Sequence, residues 1–309
     1  MNEFDFLPAQ AAGLGVAAPP VRRLTAGLPD GRTVSALRYG DAPPVVTLLH
    51  GGGLNAHTWD TTVLALGLPA LAVDLPGHGD SSWREDAAYT GRVLAADIAD
   101  AVAAWADGPQ VLVGQSLGGL TAAALAATHP GLVRDLVVVD ITPGIDPNGG
   151  AAALAAFFAG PTDWATRDEL VDRALAFGLG GTREAATRGV FLNSRVRPDG
   201  RVEWKHHFAR LANAADPSAA VDAAAPGKTA QGNILRDVVT ASGWEDLAAV
   251  TAPITLVRGD HGFVTATDAD EFARRVPAAS IVTMASGHNV QEEQPVALGQ
   301  FIAAIAGNS

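Results

Sequence analysis

The sequence predicts an α/β fold built on a mainly parallel sheet, and two patterns support that prediction. Four short, almost uninterrupted apolar runs, which start near residues 45, 70, 110 and 136, are typical of strands covered on both faces. Helical patterns lie between these runs, and an alternation of buried strands with helices indicates a parallel sheet. The 309 residues are enough for one large domain of this kind.

The predicted elements can be followed from the amino terminus. Residues 21–40 form a hairpin that turns at Pro29–Gly31, and the strands V-V-T-L-L-H, A-L-A-V-D-L, Q-V-L-V-G-Q and L-V-V-V-D-I come next. Helices are predicted over Tyr89–Asp107 and Leu117–Thr128. Two further strands, P-I-T-L-V-R-G and S-I-V-T-M, and a helix over Pro295–Ala306 complete the fold.

The alternation stops between residues 144 and 245. Helical patterns occupy this stretch, at A-A-A-L-A-A-F-F, from Thr166, around Arg183–Asn193 and at K-H-H-F-A-R-L-A-N, and strands are hard to find there. The segment A-A-A-P-G-K-T-A-Q-G is typical of a mobile loop. We therefore predict a core of residues 1–143 and 246–309, with a helical cap of residues 144–245 inserted after the sixth strand. An insertion there would cover the carboxyl ends of the strands, where open sheets bind ligands.

Composition narrows the classes of partner. The chain has no cysteine, which excludes a disulfide framework, a thiolate metal site and a cysteine nucleophile. A net charge of −12 argues against nucleic acid and anionic membranes as partners. The acidic start lacks the pattern of a signal peptide, and no apolar run reaches the roughly 18 residues of a membrane span. We expect a cytoplasmic protein that acts on a small molecule, as a monomer or a homodimer.

No metal or cofactor is predicted either. Histidines and carboxylates do not occur at a metal-binding spacing such as H-E-x-x-H. The segment Gly13–Ala18 fits a dinucleotide-binding pattern, but no strand precedes it and Pro19-Pro20 blocks a following helix.

The strongest catalytic signal is the pentapeptide Gly114-Gln115-Ser116-Leu117-Gly118, which lies between a strand and a helix. This is the setting of a nucleophile elbow, in which a sharp turn forces the serine into a strained backbone conformation. Glycine two residues to either side avoids a collision with that turn. The start of the helix also places N–H groups beside a developing oxyanion. Ser116 is therefore the predicted nucleophile.

A second signal is His50-Gly51-Gly52-Gly53, directly after the strand V-V-T-L-L. Consecutive glycines let the backbone approach a ligand closely, and acyl transfer needs two N–H donors on its oxyanion. We predict that the amides of Gly52 and Leu117 form the oxyanion hole, and that His50 holds the loop by hydrogen bonds.

A serine hydroxyl needs a base with a pKa near 7, which means histidine. Of the eight histidines, His288 follows the last predicted strand and precedes the terminal helix. Two carboxylates could orient it. Asp140 ends the strand L-V-V-V and Asp260 follows I-T-L-V-R-G, and each could instead be a structural or solvated residue.

Five segments together resemble the α/β-hydrolase fold family, especially its small bacterial esterases and cofactor-free haloperoxidase-like members. They are H-G-G-G, D-L-P-G-H-G-D-S (74–81), G-Q-S-L-G-G, V-V-V-D-I-T-P (137–143) and G-H-N-V-Q-E-E-Q-P (287–295). The resemblance implies a mostly parallel eight-stranded sheet with helices on both faces. It also implies a Ser-His-Asp triad in the chain order nucleophile, acid, histidine, with His288 as the base.

The resemblance bears on the choice of acid as well. In most members the acid follows the seventh strand as G-x-x-D before an apolar pair, and counting from Gly259 this slot holds Gly262, so Asp260 stands two positions early. Some members carry the acid at the end of the sixth strand, in a segment resembling V-V-V-D-I-x-P, which Asp140 matches. We therefore favour Asp140 and keep Asp260 as the alternative.

The predicted function is a serine esterase that cleaves a small, fairly apolar carboxylic ester through an acyl-enzyme. A C–C bond hydrolase or a perhydrolase on the same triad is one alternative, and a non-catalytic binding protein or receptor is another. Six aromatic or imidazole side chains are candidates for the substrate pocket, although packing explains each of them equally well or better: His57, Trp59, Phe157, Trp164, Trp204 and His207.

Overall fold

A computed structural model describes residues 1–146, 156–214 and 243–307 of the chain. Its ten strands are β1 (Val21–Gly27), β2 (Thr33–Tyr39), β3 (Val46–Leu49), β4 (Ala70–Asp74), β5 (Gln110–Gln115), β6 (Val133–Val139), β7 (Ser194–Val196), β8 (Val202–Trp204), β9 (Ile254–Gly259) and β10 (Ser280–Met284). Eight of them form one sheet in the order β1-β2-β4-β3-β5-β6-β9-β10. Strand β2 runs antiparallel to both β1 and β4, and every other neighbouring pair is parallel. The predicted mostly parallel, eight-stranded sheet is confirmed.

The described helices are α1 (Leu7–Leu14), α2 (Asp60–Leu66), α3 (Gly91–Trp105), α4 (Leu117–Thr128), α5 (Arg167–Ala176), α6 (Arg183–Asn193), α7 (Phe208–Ala214), α8 (Gly243–Ala249), α9 (Ala266–Arg275), α10 (Val290–Glu293) and α11 (Pro295–Gly307). Helices α3 and α4 pack on one face of the sheet, and α2 and α11 pack on the other. The predicted helices at α3, α4 and α11 agree with these bounds to within two residues. Helix α1 was not predicted, because it is only eight residues long and only Leu7 and Ala11 of it are buried.

The apolar runs of the central strands result from burial on both faces. In β5, Leu112 packs into the apolar cluster beside α3 and α4, whereas Val111 and Val113 pack into the cluster beside α2 and α11. Because successive side chains of a strand point to opposite faces, a strand covered on both sides is apolar at every position. The same geometry brings the ends of β5, β6 and β9 to one edge of the sheet.

The stretch between β6 and β9 contains α5, α6, α7, α8 and a two-stranded hairpin of β7 and β8. No strand was predicted in this stretch, because three-residue strands are too short to show a periodicity. Lys205–His207 also precede helix α7, whereas the sequence analysis placed them inside a helix. The predicted loop A-A-A-P-G-K-T-A-Q-G and most of A-A-A-L-A-A-F-F lie outside the described residues, and the limits of the cap stay a prediction.

Within the described part of the chain, no helix is both long enough and apolar enough to cross a membrane.

Candidate active site

Ser116 occupies a sharp turn between β5 and α4. Its φ of 53° and ψ of −121° lie in a region that non-glycine residues rarely adopt. A Cβ at Gly114 would lie 2.1 Å from the carbonyl oxygen of Gly118, and a Cβ at Gly118 would lie 2.3 Å from that of Leu49. Both positions therefore require glycine, as the elbow interpretation predicts.

The glycine loop lies directly against this turn. A Cβ at Gly51 would be 3.2 Å from the Ser116 Cβ, so the loop and the elbow are in contact. Leu117 begins α4, where the first-turn N–H groups have no intrahelical acceptor. Across the three described ranges, the N–H groups of Leu117 and Gly52 have no hydrogen-bond acceptor. Two unpaired donors are thus available near the serine.

His50 fixes this loop by two hydrogen bonds. Its Nδ1 lies 2.8 Å from the carbonyl oxygen of Gly51, and the N–H of Leu75 donates to its Nε2 at 3.0 Å. Since a carbonyl can only accept, Nδ1 carries the proton. Burial lowers the pKa of His50, so the ring is neutral and acts as a fixed brace.

The loop is also tied to α6. The side-chain amide of Asn193 donates to the carbonyl oxygen of Gly53 at 2.6 Å, and that of Asn55 donates to the carbonyl oxygen of Leu192 at 3.2 Å. Both asparagines are buried. Asn193 was not predicted, because nothing in its local pattern indicates a partner so far away along the chain.

We expect Asn193→Asp to lower kcat for ester hydrolysis by about 10- to 100-fold with little change in KM. The carboxylate would replace the donor by an acceptor facing the Gly53 carbonyl, and the resulting repulsion would displace the Gly52 amide. Steady-state kinetics on a p-nitrophenyl ester measure the effect. Asn2→Asp, at an exposed position, is the matched control outside the loop, and an Asn193→Asp enzyme with unchanged kcat would contradict the positioning role.

Asp140, which is buried, and His288, which is partly buried, form a pair at the carboxyl edge of the sheet. Oδ2 of Asp140 lies 2.8 Å from Nδ1 of His288. The N–H of Gly259 donates to Oδ1 at 3.0 Å, and that of Phe263 donates to Oδ2 at 2.6 Å. The carboxylate is fully buried and held by donors on both oxygens. Because a carboxylate only accepts, Nδ1 of His288 carries the proton and Nε2 is left as the basic nitrogen.

The alternative acid has different partners. Asp260 is half-exposed, accepts a hydrogen bond from the N–H of Ser286 at 3.1 Å, and is bonded to the ring of His261. The family's usual acid slot, Gly262, lies against the other aspartate, since a Cβ there would be 2.3 Å from Oδ2 of Asp140. The carboxylate of Asp140 therefore fills the space that a side chain at residue 262 would need.

Two residues that the sequence analysis missed hold His288 in place. The ring of Phe263 stacks on the imidazole, with 3.5 Å between centroids and 9° between planes. The side-chain amide of Gln115 donates to the backbone carbonyl of His288 at 3.1 Å. Phe263 follows the Gly262 slot in the chain, and its position in that motif is the signal that could have identified it.

Five of the six predicted pocket residues fall into three groups. Phe157, Trp164 and Trp204 are buried in the same apolar cluster as Leu117. The ring centroid of Trp204 lies 5.7 Å from that of Phe157 and 6.0 Å from that of Trp164. His207 stacks on Trp83 and hydrogen-bonds the Tyr89 hydroxyl at 2.8 Å. Trp59 packs in the cluster on the other face of the sheet.

The rings that touch the glycine loop are two others, Phe158 and Phe208. A Cβ at Gly53 would lie 2.3 Å from the Phe158 ring, and a Cβ at Gly52 would lie 2.9 Å from the Phe208 ring. Phe208 was not predicted as a pocket residue. Both come from the stretch between β6 and β9, so this stretch is packed directly on the loop.

His57 belongs to a buried charge cluster. Its Nδ1 lies 3.0 Å from Oδ2 of Asp60, and its Nε2 lies 3.2 Å from Oε2 of Glu3. Burial lowers the pKa of His57, but the charges and hydrogen bonds of Asp60 and Glu3 outweigh burial and raise the pKa to about 9. Glu3 has a pKa lowered to about 2: burial raises it, but the hydrogen bonds to His57 and Arg23 outweigh that effect. The cluster anchors the start of the chain.

We expect His57→Gln to lower the free energy of unfolding by about 2–3 kcal/mol at pH 7. The pKa of His57 is higher in the folded protein than in the unfolded chain. The stabilisation by the ion pairs of His57 is therefore complete below about pH 6.5 and disappears as the pH rises through 9. Urea denaturation at pH 7 and pH 10 tests it, with the exposed His129→Gln as control. An equal loss at both pH values would show that packing, and not the ion pairs, is responsible.

Comparison with known proteins identifies the family of the chain. The model of the "Alpha/beta hydrolase family" matches residues 48–300. The chain is 38% identical to the "Esterase Rv0045c" of Mycobacterium tuberculosis, over 98% of this chain and 95% of that protein. A solved structure of that esterase superposes with a TM-score of 0.81 at 37% identity, covering 99% of this chain and 98% of the other.

A second relative is the "Pimeloyl-[acyl-carrier protein] methyl ester esterase" of Neisseria meningitidis. It is 33% identical over 79% of this chain and 70% of its own length. The family model covers most of the chain, and both relatives exceed 30% identity over more than two thirds of it. The chain therefore belongs to the alpha/beta hydrolase family.

Proposed function

We propose that the protein is a serine hydrolase that cleaves carboxylic esters of small, fairly apolar molecules through an acyl-enzyme. The observation that carries the proposal is the pair of buried Asp140 and partly buried His288, at 2.8 Å, on the same sheet edge as the strained Ser116 turn. The two relatives above are named as esterases, which favours an ester over other acyl bonds. The aromatic residues packed on the loop favour an apolar substrate.

In the proposed mechanism, the Ser116 hydroxyl attacks the ester carbonyl while Nε2 of His288 takes its proton. Asp140 keeps the proton of His288 on Nδ1 and stabilises the imidazolium that forms. The amides of Gly52 and Leu117 donate to the tetrahedral oxyanion. The intermediate collapses, His288 returns the proton to the alcohol, and a water molecule activated in the same way releases the acid.

A fluorophosphonate probe tests the proposal. We expect a stoichiometric mass increase on the peptide that contains Ser116, slower labelling of His288→Ala, and no labelling of Ser116→Ala. Failure of the folded wild-type protein to react would contradict the proposal. A burst of p-nitrophenol that is not followed by turnover would indicate a binding protein that retains its acyl group.

A further inference from the structure

Two histidines that the proposed mechanism does not use lie fully buried behind the glycine loop. His78 is in the connection after β4, and His206 lies between β8 and α7. Their exposed fractions are 0% and 1%, and their rings stack with 6.3 Å between centroids. The packing of the insertion on the core brings them together.

Three of the four ring nitrogens of His78 and His206 lack a hydrogen-bond partner among the described residues. These are both nitrogens of His206 and Nε2 of His78. Leaving a buried polar group without a hydrogen bond costs about 1–3 kcal/mol, so nearly all buried polar groups in native proteins are hydrogen-bonded. Three unpaired nitrogens on two stacked rings therefore indicate a place that receives a polar group from outside the described residues.

The protonation of the two rings determines which group fits. Burial, with smaller contributions from His207 and His50, lowers the pKa of His206 to about 3, so this ring is neutral and offers one donor and one acceptor. Nδ1 of His78 lies 3.3 Å from the carbonyl oxygen of Pro76 and must donate to it. Nε2 of His78 is consequently a bare acceptor, which requires a donor from its partner.

The pair lies one aromatic ring away from the expected oxyanion position. Phe158 is 4.9 Å from His206 between ring centroids, and Phe208 is 4.8 Å from His78. These are the two rings in contact with Gly53 and Gly52. A substrate group at the histidines would therefore belong to the same ester whose carbonyl is held by the loop.

We propose that His78 and His206 form a polar subsite that binds a hydroxyl group on the acyl chain of the ester. The inference rests on the proposed function. A hydroxyl donates to Nε2 of His78 and accepts from the N–H of His206, which uses both kinds of nitrogen at once. A carbonyl would leave Nε2 of His78 unpaired, and a carboxylate would be buried against neutral rings without a counter-charge.

The test compares methyl esters of hydroxyalkanoic acids of four to eight carbons with the unsubstituted methyl esters of equal length. We expect the wild-type enzyme to prefer one hydroxylated ester by about tenfold or more in kcat/KM, and His206→Phe to reduce that ratio by about the same factor. His206→Leu, checked by its thermal melt, repeats the test without the ring, and the exposed His129→Leu is the control.

The outcomes separate the two proposals. If the fluorophosphonate labels Ser116 but the ratio is near one in wild type and in both His206 variants, the nitrogens hold water only and the subsite is wrong. A preference for the monomethyl esters of dicarboxylic acids would overturn the hydroxyl assignment in favour of a carboxylate. If the probe does not label Ser116, the proposed function itself fails.

Discussion

Ser116→Ala is expected to lower kcat for ester hydrolysis by about 10⁴- to 10⁶-fold, the largest effect of any single substitution in this protein. The variant keeps the two free amides that can polarise a carbonyl, but it has no nucleophile to form the acyl-enzyme. The chain contains no cysteine that could take over the attack. Kinetics on p-nitrophenyl butyrate with a stopped assay of high enzyme concentration would measure the remaining rate.

A matched serine tests whether the loss is specific. Ser82→Ala removes a hydroxyl that lies 3.1 Å from Thr33 and does not belong to the elbow. We expect this control to keep its activity within about threefold and both variants to keep the wild-type fold by circular dichroism. A Ser116→Ala enzyme with more than a tenth of the wild-type rate would require another nucleophile.

Asp140→Asn is expected to lower kcat by about 10³- to 10⁴-fold. Both carboxylate oxygens accept hydrogen bonds from backbone N–H groups, and Oδ2 also accepts from His288. An amide must place its NH₂ toward one of these donors. If the NH₂ takes the place of Oδ2, it forces His288 into the tautomer that cannot accept the proton of Ser116.

Asp260→Asn is the matched control, because it removes the same charge from the other acid candidate. Asp260 bonds His261 and Ser286 at a half-exposed position, so we expect a change in kcat of less than about threefold. The reverse result, with a large loss at Asp260 and a small one at Asp140, would transfer the role of the acid to Asp260.

An exchange of positions tests the same assignment from the opposite direction. Asp140 has a φ of 48°, which glycine adopts without strain, and the space beside Gly262 becomes free once the Asp140 carboxylate is removed. We expect the double variant Asp140→Gly with Gly262→Asp to regain at least about tenfold in kcat over Asp140→Gly alone. No recovery would mean that a carboxylate from residue 262 cannot reach His288.

Most of the sheet could be predicted from the sequence because its signals are local. Burial on both faces makes each central strand a continuous apolar run, and the hairpin of β1 and β2 has an ordinary turn. The short β7–β8 hairpin and helix α1 were missed because strands of three residues and a helix of eight residues are too short to define a period. The conformation of an element with three residues, or with only two buried positions, depends more on packing against neighbouring elements than on its own sequence pattern.

The candidate site also has features that could be predicted from the sequence and features that could not. The glycines around Ser116 and in the loop are needed by the backbone itself, so their spacing was visible in the chain. The contact of Phe208 with Gly52 and the hydrogen bond from Asn193 to Gly53 join segments more than a hundred residues apart. No local pattern records such contacts, because they depend on how the insertion packs on the core.

The eight strands of the main sheet, the glycines around Ser116 and the two candidate carboxylates could all be identified in the amino-acid sequence. Which carboxylate lies against His288 depends on the packing of the folded chain. The physical reason is steric: Asp140 and Gly262 lie on neighbouring strand ends and share one space, which the carboxylate fills and a second side chain could not enter. Contacts between distant segments, and not the residues taken singly, also brought two histidines with unpaired nitrogens behind the loop.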